Sequence, residues 1–175
     1  MYYEDFAVGR EVQTGSARFT RDSILAYAAL YDPRVLAAER GGRGLVASSL
    51  HVASEGMRRL VDWHAAFRAA AEASGEPQPS LGVSPGFRDL RMHAPVLPDD
   101  VVTYSMRTVS ARETSKPRWG LIGNAFEARN QRGEPVLSFS SLVLALRRSA
   151  EAGGGPRRLV FPRRTGYARG RGPTS

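Results

Sequence analysis

The chain has 175 residues, no cysteine, 42% hydrophobic and 24% charged residues, the proportions of a globular protein with enough chain for one core. This excludes disulfide scaffolds and cysteine-ligated metal or redox centres, and no apolar run approaches the roughly 20 residues that cross a bilayer. The net charge of +8 is uneven, because residues 147–175 hold eight arginines against one acid, Glu151; the rest is almost neutral, and nucleic acid is not an expected partner.

Met1 to Phe6 carries Glu4 and Asp5 where a secretory signal needs a basic and then an apolar stretch, so the cytoplasm is the expected location. Residues 10–19 read as extended. Thr20 is placed to cap a helix, with Asp22 in its first turn and Ile24, Leu25, Ala28 and Tyr31 as its buried stripe. Pro33 disfavours helical geometry at Asp32, so this helix ends there and Asp32 sits at its exit. A Gly- and Arg-rich gap, residues 39–44, follows. Leu50, Ala53, Met57, Leu60, Val61, His64 and Phe67 then recur at helical spacing, which predicts one long, mostly buried helix over residues 49–73.

After a Gly- and Pro-containing break at residues 75–79 the pattern turns to period two, with strands expected at 86–91, 101–112, 119–130 and 135–147. Asn130-Gln-Arg-Gly-Glu is a hairpin turn between the last two, and Pro98-Asp-Asp opens the first long strand. Helices followed by antiparallel strands give an α+β class. Residues 1–148 form a single domain, and the Arg-, Gly- and Pro-rich residues 149–175 read as a flexible tail with little to bury.

Several side chains invite a chemical reading. Ser48 and Ser49 sit where serine caps a helix, and the exposed N–H groups there also suit an oxyanion. His51 lies about 100° around the helix from Leu50, on a flank beside Glu55 and Arg58, where pairing with Glu55 is the plain structural role. His64 falls on the apolar stripe, as a satisfied core histidine would. His93 has no partner legible in the sequence. Three histidines without cysteine give no zinc spacing, and Gly41-Gly-Arg-Gly lacks the strand and spacing of a dinucleotide loop.

Taken in order, Tyr3-Glu-Asp-Phe-Ala-Val-Gly, Ala26-Tyr-Ala-Ala-Leu-Tyr-Asp-Pro, Gly44-Leu-Val-Ala-Ser-Ser-Leu-His, Pro95-Val-Leu-Pro-Asp-Asp and Asn130-Gln-Arg-Gly-Glu-Pro-Val-Leu-Ser-Phe resemble the MaoC-like dehydratases and (R)-specific enoyl-CoA hydratases. The resemblance implies a hot-dog fold, a curved antiparallel sheet wrapped around one long central helix. It also implies addition or removal of water at carbon 3 of an acyl thioester carried by CoA or an acyl carrier, with no further cofactor. A homodimer, or a heterodimer with a related hot-dog subunit, is the implied assembly.

In that family an Asp and a His from a D-x-x-x-x-H motif hold one water, while N–H groups at the central helix start polarise the thioester carbonyl. Asp32 matches the Asp, but Ala37 stands where the His belongs, and the stretch from Asp32 to Gly44 is shorter than usual. The expected site therefore has Asp32 and His51 as catalytic residues and Ser48 and Ser49 as substrate-binding ones. A non-catalytic subunit that pairs with a complete dehydratase, or a hot-dog thioesterase, are the alternatives.

Overall fold

The computed structural model describes residues 1–150 apart from Pro77 and Ser80. Most of the expected tail thus lies outside the described residues. After a 3-10 turn at Tyr3–Asp5 the elements are β1 (Glu11–Arg18), α1 (Arg21–Tyr31), α2 (Pro33–Arg40), α3 (Ser49–Ala73), β2 (Gly86–Met92), β3 (Val101–Glu113), β4 (Trp119–Arg129) and β5 (Pro135–Leu146). The strands form one antiparallel sheet in the order β1-β3-β4-β5-β2.

Local chemistry explains the joints. Thr20 caps α1 by accepting from the Ser23 N–H at 3.1 Å, satisfying one donor that the helix cannot. The β4–β5 turn is held by Asn130 Oδ1, which accepts from the Arg132 and Glu134 N–H groups, and by Gly133 at φ +79, a conformation that suits glycine. Both edge strands are interrupted: β1 has a bulge between Gln13 and Gly15, and β2 one between Arg88 and Arg91, where Asp89 adopts φ +55.

α3 lies against one face of the sheet. Phe19, Ile24, Val52, Val102, Tyr104 and Leu137 form the core at its N-terminal end. Ile122, Ala145, Met1 and Phe6 form a second cluster, with Trp63, Phe67 and Leu81 packed on it. Gly56 permits the close approach of helix and sheet, because a Cβ there would stand 2.9 Å from two ring carbons of Tyr104.

Three expectations need correction. Residues 33–40 are helical: proline's fixed φ and missing N–H suit the first helical position, so Pro33 ends α1 and also starts α2. α3 has the expected bounds but is not mostly buried. Only His51 and Val52 are buried, while Leu50, Met57 and Val61 are more than half exposed, since the sheet meets the face carrying Val52 and Gly56. In α1, Ile24 and Ala28 are buried and Leu25 half-buried, but Tyr31 is exposed.

Candidate active site

Asp32 closes α1 and precedes α2, with φ −146 and ψ 72. Its carboxylate caps neither helix. Instead Oδ2 accepts from the Ser48 hydroxyl at 2.8 Å, and the two oxygens accept from Arg34 Nε at 2.9 Å and a terminal guanidinium nitrogen at 3.3 Å. The Asp32 side chain is 13% exposed and that of Arg34 90% exposed, so the ion pair faces solvent and contributes little to stability. The Arg34 hydrogen bond, followed by that from Ser48, holds the Asp32 carboxyl below its ordinary range; it is a carboxylate at neutral pH.

Ser48 occupies the N-cap position of α3 at φ −57, ψ 140 and is buried, yet makes no side-chain cap. Its hydroxyl is committed to Asp32, so the two predicted residues are brought together. The segment before it is fixed by the Ala47 N–H donating to the Val96 carbonyl at 2.9 Å. Ser49, the first helical residue, is exposed. Its N–H belongs to the opening turn, which has no intrahelical acceptor and carries the positive end of the helix dipole.

His51 is not the flank residue expected. It is 6% exposed, with its ring stacked on Tyr27 at 4.5 Å between centroids and 4° between planes, and edge-on to Phe19 at 5.0 Å. Glu55 pairs with Arg59 instead, at 3.1 Å. Burial lowers the His51 pKa against the opposing pull of Glu55, and its Nδ1 is buried without a hydrogen-bond partner among the described residues. No hydrogen bond joins His51 to Asp32 there. Ala37 is an exposed residue of α2.

The other two histidines also differ from expectation. His64 is half-buried and its pKa falls to about 4, chiefly through burial and then through the N-terminal ammonium and Arg68; it makes no hydrogen bond among the described residues, so it is not a satisfied core histidine. His93 shares a 2.8 Å hydrogen bond with Ser138 Oγ. Two residues that the sequence reading did not single out shape the site. Arg34 clamps Asp32, a contact hinted at by its position two residues on, and Tyr27 covers His51 from α1. Among the described residues no cluster of three or more His, Cys, Asp or Glu side chains could hold a metal ion. No described helix is long and apolar enough to cross a membrane.

No protein-family model and no curated protein matches the sequence. Solved structures do. A MaoC-like dehydratase from Rhodospirillum rubrum superposes with a TM-score of 0.67 at 24% identity, over 85% of this chain and 98% of that one. A Mycobacterium tuberculosis protein described as having a double hotdog fold gives 0.59 at 17% identity, over 84% of this chain and 44% of that one. The C-terminally truncated HadBC (3R-hydroxyacyl-ACP dehydratase) complex, also from Mycobacterium tuberculosis, gives 0.57 at 19% identity, over 79% of this chain and 96% of that one. The antiparallel five-stranded sheet laid against one long helix is therefore the hot-dog fold found in MaoC-like dehydratases.

Proposed function

We propose that the chain is a MaoC-like hydratase or dehydratase with an altered site, acting on an enoyl-CoA or acyl-carrier thioester. The observation that carries this reading is the Asp32 carboxylate, ionised and anchored by Ser48 beside the free N-terminus of α3. In this reading the thioester carbonyl lies against the Ser49 N–H, where a preorganised donor is worth roughly 10²–10³ in rate. Asp32 takes the proton from the water as its oxygen bonds carbon 3, and the carboxylic acid so formed gives that proton to carbon 2 as the double bond is lost; dehydration runs the same steps backwards. With Ala37 in place of a histidine, His51 is the imidazole carried by the opening turn of α3. Neutral, and with Nδ1 unpartnered, it is available as a second proton carrier once a substrate opens the site.

A second reading has a specific observation behind it. The exposed Leu50, Met57 and Val61 recur along one side of α3, as expected of a surface that another subunit covers, and HadBC is itself a complex. The chain would then be a non-catalytic partner of a complete hot-dog subunit. Hydration of crotonyl-CoA by the purified chain separates the two. The enzyme reading expects turnover that falls roughly 10²-fold or more in Asp32→Asn, and comparably in His51→Ala only if His51 carries a proton. No turnover above background by a folded wild type that still binds acyl thioester refutes it in favour of the subunit.

A further inference from the structure

A cavity of about 530 Å³ lies between the middle of α3 and the sheet, within the size range of small-molecule sites. Its roof is Met57, Leu60, Val61 and His64. Its floor draws on three cross-strand rows, from which Met106, Asn124, Phe126, Phe139, Ser141 and Val143 line it. One is apolar, with Met106 opposite Phe126 and Phe126 opposite Phe139, the two phenyl rings stacked at 4.6 Å. A third row, Ile122 opposite Val143, is also apolar. Between them runs a polar row, Thr108 opposite Asn124 and Asn124 opposite Ser141.

That polar row is out of place on its own terms. Asn is a poor strand former, and a buried polar group without a partner is costly. Asn124 is 3% exposed and Thr108 5% exposed. The Thr108 hydroxyl donates to Asn124 Oδ1 at 3.3 Å, and the Asn124 amide N–H₂ has no acceptor among the described residues. Whichever way round that amide lies, one of its polar atoms is left over. The Ser141 hydroxyl also has no partner among the described residues, and His64 overhangs the same space as a neutral ring able to donate or accept. Donors and acceptors without a partner among the described residues therefore converge on a largely apolar, open-sided cavity.

We propose that this cavity binds an alkyl chain carrying a hydroxyl or keto oxygen, with that oxygen hydrogen-bonded to Asn124 and Ser141. The proposal rests on the acyl-thioester reading only for what the chain is attached to. From Ser49 to Val61 the helix rises about 18 Å, so a thioester at the α3 N-terminus would send a medium-to-long chain into this space. The substrate class is thus an oxygenated acyl chain, the oxygen lying past the Phe126–Phe139 stack.

The test needs no turnover. Binding of dodecanoic acid, and of monohydroxydodecanoic acids substituted along the distal half of the chain, is measured calorimetrically on the full-length protein, on Asn124→Leu and on Val61→Trp. An enclosure lined by carbon alone disfavours the hydroxyl, so the sign of the preference is diagnostic. The expected result is that one hydroxy isomer binds wild type roughly tenfold more tightly than the plain chain. Asn124→Leu should reverse that preference, and Val61→Trp, changing a residue at the cavity's exposed rim, should abolish binding of both with the melting curve intact. If Asn124→Leu does not fold, Ser141→Ala takes its place and should shrink the preference. Equal binding of plain and hydroxylated chains overturns the proposal. So does absence of binding to wild type, including the case in which Val61→Trp instead dissociates a dimer, which would make the groove an interface between copies. Chain binding as expected without crotonyl-CoA hydration would refute the enzyme reading and leave this one standing.

Discussion

Gly56→Ala sets two opposed effects against each other at the helix–sheet contact. In a free helix the change is favourable by about 1 kcal/mol, because alanine loses less backbone entropy and is the better helix former. Here the new methyl would sit 2.9 Å from Tyr104 Cδ1 and Cε1, closer than real Cβ contacts come. The tyrosine cannot swing aside: it is 4% exposed and its hydroxyl donates to the Val52 carbonyl at 2.9 Å. Overpacking of this kind costs about 1–3 kcal/mol. With the ring tethered the upper half of that range applies, for a net loss of about 1–2 kcal/mol. For a chain of this length that lowers Tm by about 2–8 °C. Thermal and urea unfolding should show the loss, and the same substitution in a Tyr104→Leu background, where the ring is gone, should be neutral or stabilising by up to about 1 kcal/mol. A rise in Tm for the single variant, or equal losses in both backgrounds, would refute the claim that Tyr104 sets the approach distance.

Two further outcomes follow from titration. The folded His64 has a pKa near 4 against an ordinary 6.5, so below pH 6.5 the unfolded chain takes up a proton that the folded chain refuses. Stability present at neutral pH should fall between pH 6.5 and about 4, by about 1–2 kcal/mol once solvent screening at this half-buried ring is allowed for; urea midpoints of His64→Leu that fall as steeply as wild type would contradict this. If hydration is found, its acid limb should lie below the ordinary carboxylate range, because Arg34 and Ser48 hold the Asp32 pKa down. Removing one donor in Ser48→Ala should shift that limb to higher pH with the melting curve little changed, and an unmoved limb would mean that Asp32 is not the titrating base.

The parts of the fold governed by chain-local rules were legible in the sequence. α3 runs over the expected residues because its apolar spacing is uninterrupted until the Gly75 break, and the strand limits fall within one or two residues of those expected. α2 was illegible because Pro33 has two meanings, helix end and helix start, and only the path of the following residues separates them. The site was half legible. Asp32 and Ser48 were both marked, but their hydrogen bond spans sixteen positions and no local rule connects them. His51 was misjudged because a helical wheel treats α3 alone, whereas Tyr27 of α1 and Phe19 cover that flank. The same limit applies to α3 itself: periodicity reveals an apolar stripe without saying which neighbour it meets, and here the sheet takes the Val52–Gly56 side. Thr108, Asn124 and Ser141 went unmarked, because period two gives strands without saying which positions of neighbouring strands meet, and only the register shows that the three form a single row.

The two bulges bear on how this sheet can grow. An open sheet of five strands exposes a hydrogen-bonding edge on each side, and a straight edge invites stacking without limit. Here β1 loses its regular pairing after Gln13 and β2 after Arg88, where Asp89 takes a left-handed backbone that costs a non-glycine residue about 1–2 kcal/mol. Each edge therefore offers short templates divided by a kink. A strand bent to match can dock once and in one register, whereas a generic extended segment finds too few consecutive partners to hold. The same irregularity that would make the molecule selective in choosing a companion also protects it from fibrous self-association.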